Sequence, residues 1–310
     1  MGFSRMVLPM NDCKRFSSPV RKEPEKTGCL LHYLRFFSFS LQPLAFSLML
    51  CAAPLRAEEK PTYLTHPYSA LMADVQIDTA AVRADWYRER LDYDIYWGII
   101  YVGSAYLQID KIVTIDGRPA YHIVSGAKSA AFIDNFYHVA DLNESWFDVA
   151  GLYSRGYYKL IQEGRYFFNE WVVFNNAAKA FHGEKLNKKK VLSPVAGTLE
   201  GPVNDVLSAL YLVRTMELKP KSSQAIVVNT KRNWNMNVKF RKREKESTAY
   251  GKFKCLRVEP QLGDDGLFVA RKGRKMLVWM TDDELRLPLI LKAEIFLGSV
   301  TAKLVKRRLE

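Results

Sequence analysis

The stretch V-N-D-V-L-S-A-L-Y-L-V-R-T-M, Val203 to Met216, reads as an amphipathic helix in a chain whose other periodic segments read as strands. Val203, Val206, Leu207, Leu210, Tyr211 and Arg214 recur at three-and-four spacing, which draws an apolar stripe down one helical face. Asn204 or Asp205 is placed to cap the start, and Pro220 blocks continuation. Burying about five such side chains is worth on the order of 8 to 15 kcal/mol as an upper bound, which suits a helix laid across a sheet.

Downstream of the helix, the period changes from helical to two-residue. Gln224 to Asn229 is a strand, and Lys231-Arg232-Asn233 a turn. Trp234, Met236, Val238 and Phe240 then alternate with Asn235, Asn237, Lys239 and Arg241, the cleanest two-residue period in the chain. Tyr250 to Glu259, Leu267 to Ala270, Met276 to Met280, Leu285 to Ala293 and Gly298 to Val305 continue the series, with Pro288 marking an edge or a bulge.

Upstream, Leu91, Tyr93, Ile95 and Trp97 alternate with Asp92, Asp94 and Tyr96, and Ala105, Leu107 and Ile109 with Tyr106, Gln108 and Asp110. Asp116-Gly117 and Glu163-Gly164 are hairpin signals, and Tyr137 to Phe147, Tyr157 to Ile161 and Tyr166 to Phe174 are strand-like. Lys185 to Pro202, with its lysine run and two prolines, reads as the loop that delivers the chain to the helix. About a dozen strands joined by tight turns imply a mainly β fold: a large curved antiparallel sheet, or an open or closed barrel, with one principal α-helix packed against it.

Three segments organise the chain. Residues 1–57 read as an N-terminal leader ending in a signal peptide: Arg35 precedes an apolar run to Ala53, and the small residue Ala57 stands before Glu58 and Glu59, so cleavage is expected after Ala57. A retained membrane anchor is the alternative, because the apolar run is about long enough to span a bilayer; a lipid anchor on Cys51 fits less well, since Leu50 precedes it. Residues 58–84 form a linker or docked arm, and residues 85–310 a single β-rich domain. The expected compartment is the periplasm.

Of 46 basic and 33 acidic residues, eight and three lie in the leader, so the formal net charge of +13 falls to +8 for the remainder. That excess suits anionic surfaces such as lipid headgroups and suits a generic basic protein equally well. The basic run Lys239 to Lys245 invites a nucleic-acid reading, but export argues against it, and its charges discourage edge pairing. Cys255 alone of the four cysteines lies beyond the leader, which excludes an intramolecular disulfide and a cysteine-rich zinc site there.

No local catalytic motif is present, and no catalytic residue, metal ligand set or cofactor is assigned. Asp282, Asp283 and Glu284 read as solvated turn formers before they read as a cation site. Two kinds of position are singled out. Trp97, Trp171, Trp234 and Trp279, with Phe174 and Met236, are candidates to line the concavity of a curled sheet. Arg214, at the phase of the apolar stripe, must reach past it or meet a carboxylate, with Asp283 the candidate partner.

Five ordered stretches carry a resemblance. L-D-Y-D-I-Y-W-G-I-I-Y-V-G-S-A at Leu91 to Ala105, D-G-R-P-A-Y at Asp116 to Tyr121, D-x-L-S-A-L-Y-x-x-R at Asp205 to Arg214, V-W-M-T-D-D-E-L-R-L-P at Val278 to Pro288 and L-G-S-V-T-A-K-L at Leu297 to Leu304 resemble a bacterial family of exported domains of unknown function, the DUF3108 type. Val206 departs from it, where the family commonly has proline at the first helical position. The resemblance implies a Gram-negative envelope location and a mostly β fold, and implies no activity. Two readings of function follow: a periplasmic binding or carrier module for an apolar or amphipathic envelope molecule, with a lipid or lipoprotein as ligand, or an envelope interaction protein whose barrel is filled by its own side chains. An enzyme acting on envelope polymers is third.

Overall fold

The computed structural model describes residues 63–71, 73–75, 77, 83, 85–219, 222–229, 233–262, 275–295 and 297–309. The leader with its cleavage site, most of the arm, and the strand expected at Leu267 to Ala270 lie outside the described residues.

Eight strands precede the main helix: β1 (Glu89–Trp97), β2 (Ile100–Ile115), β3 (Arg118–Ser129), β4 (Ala140–Asp148), β5 (Ser154–Glu163), β6 (Tyr166–Asn175), β7 (Ala180–Asn187) and β8 (Leu192–Thr198). A single helical turn, α1 (Ala131–Asp134), joins β3 to β4. The main helix is α2 (Val206–Thr215). Six strands follow it: β9 (Ser223–Asn229), β10 (Asn233–Thr248), β11 (Gly251–Leu262), β12 (Met276–Thr281), β13 (Pro288–Glu294) and β14 (Ser299–Leu309).

All fourteen form one antiparallel sheet in the order β8-β7-β6-β5-β4-β3-β2-β1-β14-β13-β12-β11-β10-β9. Each strand therefore lies beside its sequence neighbour, except where β1 meets β14. The sheet curls but does not close by pairing β8 to β9. The segment before the helix spans part of that gap instead: Ser154 N donates to Val203 O (2.9 Å), Asn204 N to Val227 O (2.9 Å) and Asn229 N to Asn204 O (2.8 Å).

Local chemistry explains the details that the two-residue period alone does not. Gly98 and Gly103 flank a short I-I-Y-V in the sequence, yet β2 runs through Gly103 as a single strand of 16 residues. It stays in register with the core through a bulge between Ile109 and Lys111, which lets Ile109 and Ile112 both face inward. Pro288 opens β13 opposite a register shift at Trp279 and Met280, where its missing N–H leaves no ladder bond unmade. The loop expected over Lys185 to Pro202 is a correction: the segment holds the end of β7 and all of β8, whose polar alternation is that of a sheet margin. Lysines 188, 189 and 190 and Pro194 obscured it, because an edge strand tolerates both charge and proline.

The helix lies inside the curl. Its residues Ala209 and Val213 pack on the inner face of β9 to β12 with Ile226, Met236, Phe240 and Leu256, and Tyr211 packs with Leu91, Tyr93, Tyr121 and Leu304 on the other side. Val203 closes a third apolar cluster with Tyr157, Val172 and Phe181. Asp205 starts the helix through a capping box: its carboxylate accepts from Leu207 N (2.8 Å) and Ser208 N (3.2 Å), and Ser208 Oγ accepts from Asp205 N (2.9 Å). Ser145 Oγ on β4 also donates to Asp205 Oδ2 (2.5 Å), so the cap fastens helix to sheet.

On the outer face, residues 63–71 cover Trp146, Val113 and Tyr158. His66 stacks on Trp146 with ring centroids 4.1 Å apart and bonds Val172 O at 3.1 Å.

Candidate functional site

Between the inner sheet and α2 lies a cavity of about 190 Å³, open to solvent on one side. From the helix it takes Val206, Leu207, Leu210 and Val213; from the sheet, Met236, Met276 and Met280 are its most adaptable walls. Leu207 and Leu210 belong to the apolar stripe and touch the core, yet they are only half-buried, because part of each faces this opening. The helix thus has two inner edges. Tyr211 is buried in packed core on one edge, while on the other Leu207 and Leu210, with the buried Ala209 and Val213 behind them, are left with space beside them.

The four tryptophans expected in the concavity do not meet there; of that set, Met236 alone lines the cavity. Trp97 is exposed at the end of β1 and donates from Nε1 to Leu297 O (2.8 Å). Trp171 is on β6, its Nε1 directed at Glu184 Oε2 (3.2 Å), next to His66 on the outer face. Trp234 sits half-buried near the start of β10, and Trp279 on β12 donates to Glu244 Oε1 (2.8 Å). Phe174 packs in the third cluster against Phe181. Size and strand period drew attention to these rings, but on a sheet with two apolar faces, large side chains do not all point the same way.

Arg214 is paired, but not with Asp283. Its guanidinium forks onto Glu89 of β1, Nη1 to Oε2 at 2.6 Å and Nη2 to Oε1 at 3.2 Å, with neither side chain exposed. Arg307 Nε adds a second cation to Glu89 Oε1 (2.9 Å), and Arg214 Nε and Nη2 donate to Leu285 O (3.2 and 3.1 Å). The rings of Trp86 and Tyr211 lie 5.2 and 5.0 Å from the same guanidinium. Burial disfavours the charge on Arg214, but Glu89 outweighs it and holds the group more firmly protonated than usual. Asp283 instead shapes its own turn, Oδ1 accepting from Thr281 Oγ1 (2.6 Å) and Arg286 N (3.1 Å). Glu89 was not singled out in the sequence, because it stands before the clean alternation of β1 begins.

A second polar cluster lies on the outer face. His122 faces Asp110 Oδ1 from Nδ1 (2.7 Å) and Glu144 Oε2 from Nε2 (2.8 Å), and its ring stacks near Trp146. Burial works against its charged form, but the two carboxylates raise its pKa above the ordinary value. The register could have found this cluster, since His122 lies opposite Trp146 on β4, two residues from Glu144, and beside Lys111 on β2, next to Asp110. Close by, burial pulls the His66 imidazole down to about 4. Cys255, fully buried, has its thiol pushed up to about 11 by desolvation, so it is no thiolate nucleophile at neutral pH. Among the described residues no group of three or more His, Cys, Asp and Glu is arranged to hold a metal ion, and no helix is long and apolar enough to cross a membrane.

The family described as a protein of unknown function, DUF3108, matches residues 92–305. No curated protein matches the sequence. Among solved structures, the chain is similar to a β-barrel-like protein of the unknown-function family DUF1849 from Brucella abortus, at 10% identity over 72% of this chain and 97% of that one, with a TM-score of 0.49. It is similar at 6% identity, over 72% and 96%, to a candidate exported protein with a YmcC-like fold from Bacteroides fragilis, with a TM-score of 0.33.

Proposed function

The chain belongs to that DUF3108 family of unknown function, and we propose that it is an envelope binding module whose inner cavity takes the apolar end of an amphipathic molecule. The observation that carries this reading is the cavity itself: space walled by aliphatic and thioether side chains inside an otherwise packed core, with half-buried leucines turned towards it. Its volume of about 190 Å³ falls short of the ~300 Å³ or more of a typical small-molecule site. It exceeds the ~150 Å³ that suffices for a benzene-sized guest in an apolar core. The occupant is therefore the tip of an acyl or other aliphatic chain, with the rest of the molecule outside the opening.

Three methionines in the wall favour a variable guest, because an unbranched thioether repacks around different shapes at little cost. The leader read in residues 1–57 supplies the compartment for this reading, the periplasm, where such molecules abound. Intact mass of protein from a periplasmic fraction tests that part: a mature chain beginning at Glu58 agrees with it, and retention of residues 30–53 in a membrane fraction does not.

Protein purified from its own envelope should retain a lipid in native mass spectrometry, and after delipidation should take up a fluorescent fatty-acid analogue saturably. Leu210→Trp, which fills the space from a half-buried position, should abolish uptake while leaving the melting transition intact. Failure of both assays in folded wild-type protein overturns the proposal.

A further inference from the structure

Because every strand runs antiparallel to its neighbours, the connections β1–β2, β3–β4, β5–β6, β7–β8 and β13–β14 all fall at one end of the sheet. That end differs in chemistry from the other. Among the described residues, nine of the twelve exposed large apolar side chains stand in or beside these connections, with Leu309 at the opposite end of β14. Ile99, at the tip of the β1–β2 hairpin, is 95% exposed, and Phe136, just after α1, is 88% exposed. Ile100, Phe132 and Leu297 are each about half exposed.

The tips are held as one rim. Gly98, whose φ of +60° lets the hairpin turn in two residues, donates from N to Ser299 O (3.1 Å), and Trp97 Nε1 bonds Leu297 O (2.8 Å), which fixes the β1–β2 tip to the β13–β14 turn. On the other side, Ala130 N donates to Val102 O (2.9 Å) and ties the start of α1 to β2. These bonds fasten the tips to one another.

The turns of this end are also basic. The described connections at this end, with Lys275 just before β12, carry the exposed Arg165, Lys188, Lys189, Lys190 and Lys275 against Asp134. Those at the other end carry Asp116, Glu200, Glu217, Asp282, Asp283 and Glu284 against Lys179, Lys219 and Arg286, with Lys245 and Lys252 flanking the β10–β11 turn. The first end is thus apolar at its tips and basic in its turns; the turns of the other end are mixed in charge and lack such tips apart from Leu309, and the β10–β11 hairpin there carries exposed Lys245, Lys252 and Lys254.

We propose that the rim of Trp97, Ile99, Ile100, Phe132, Phe136 and Leu297 is a docking surface for an anionic lipid bilayer, entered by the aliphatic and phenyl tips and held by the lysines on the other turns of the same end. The layering selects lipid over a protein partner. Aliphatic and phenyl groups stand at the apex; Trp97 and Tyr101, each with an apolar body and a polar atom, stand one step below; ammonium groups stand on other turns of the same end, the components of a bilayer from hydrocarbon through interface to headgroups. Protruding separate tips also suit a fluid surface, whereas a protein interface needs a packed and largely continuous patch. The inference does not depend on the cavity being occupied.

The experiment uses the full chain with Cys13, Cys29 and Cys51 changed to Ser, so that an environment-sensitive fluorophore can be placed by Ile99→Cys at the rim or by Ala177→Cys at the β6–β7 turn on the opposite end. Cys255 is buried and escapes labelling. On adding vesicles of phosphatidylethanolamine with about a quarter phosphatidylglycerol, the probe at position 99 should shift to the blue and the probe at 177 should not. Phosphatidylcholine vesicles should give a weaker response, and Lys188→Glu with Lys189→Glu and Lys190→Glu should lower the affinity for anionic vesicles about tenfold at low salt. A leader that enters the bilayer by itself leaves the probe at 99 in water, so it cannot mimic the result. An unshifted probe at 99, or a shift produced only by envelope protein in the absence of lipid, overturns the proposal.

Discussion

Glu89→Gln should be among the most damaging conservative substitutions in this protein. The carboxylate receives three charge-assisted hydrogen bonds, two from Arg214 and one from Arg307, at a point where the Arg214 and Glu89 side chains have no contact with water. An amide keeps the shape but removes the charge, and turns an NH₂ group towards one of two cations. Removing one partner from a buried pair costs about 3–5 kcal/mol, because the other charge stays buried and uncompensated. Against a total stability of roughly 5–15 kcal/mol, that is a large fraction. At about 2–4 °C per kcal/mol for a domain of this size, the melting temperature should fall by roughly 6–20 °C.

The same bonds join the end of α2, the start of β1, the end of β14 and the turn before β13, so the loss should appear as earlier cooperative unfolding rather than local fraying. Circular dichroism melts of Glu89→Leu, Arg214→Leu and the double variant Glu89→Leu/Arg214→Leu provide the cycle, alongside Glu89→Gln. Removing both charges should cost less than the sum of the separate changes, with a coupling of about 2 kcal/mol or more. A Glu89→Gln melt within about 2 °C of wild type, or strictly additive effects, refutes the claim that this pair fastens the helix to the strands.

Three further outcomes are expected. Ser208→Ala removes a fully buried hydroxyl from the capping box and should cost about 1–2 kcal/mol in denaturant unfolding. His66 is held neutral, its pKa depressed to about 4 by burial; the stability it contributes is present above the unfolded value near 6.5 and lost as pH falls through 4, so wild type should lose up to roughly 3 kcal/mol over that window and His66→Gln measurably less. Asp141 is raised to about 8 by burial and by Glu163, so its contribution is full below 3.8 and lost as pH rises through 8; Asp141→Asn should therefore raise the melting temperature at pH 8 relative to wild type and do so less at pH 4.

The strand series was legible because alternation is a local property. Trp234 to Arg241 shows in the structure what it shows in the sequence, Met236, Val238 and Phe240 buried between exposed or half-buried neighbours. The helix was legible for the same reason, with Asp205 capping it in fact. What failed were places where a non-local demand overrode the local pattern. β8 reads as a loop because a sheet margin does not require a hydrophobic face on both sides, and β2 runs on through Gly103 because that glycine serves a close approach rather than an end. At Gly103, a Cβ would lie 2.2 Å from Lys128 O, so the residue is glycine to let two backbones pass.

The site was less legible than the fold, for a reason visible in Arg214 and Leu210. Both lie on the stripe that defines α2, yet one is closed into an ion pair with a residue 125 positions away and the other faces open space. Helical phase says that a side chain points inward; it does not say whether packing, charge or a cavity waits there. That depends on which strands curl over the helix, and the strand order is set by the one long-range pairing, β1 with β14. Glu89 and Arg307 sit at the same end of that pairing, Glu89 opposite Leu309 and Arg307 opposite Leu91, so the seam of the sheet and the anchor of the helix are the same structure. On that geometry the cavity is a consequence of where the helix is fixed: its C-terminal end is drawn to the β1–β14 seam by Arg214, its N-terminal end to β4 by Asp205, and the Leu207–Leu210 edge between them is held off the β10–β12 wall with room for a guest.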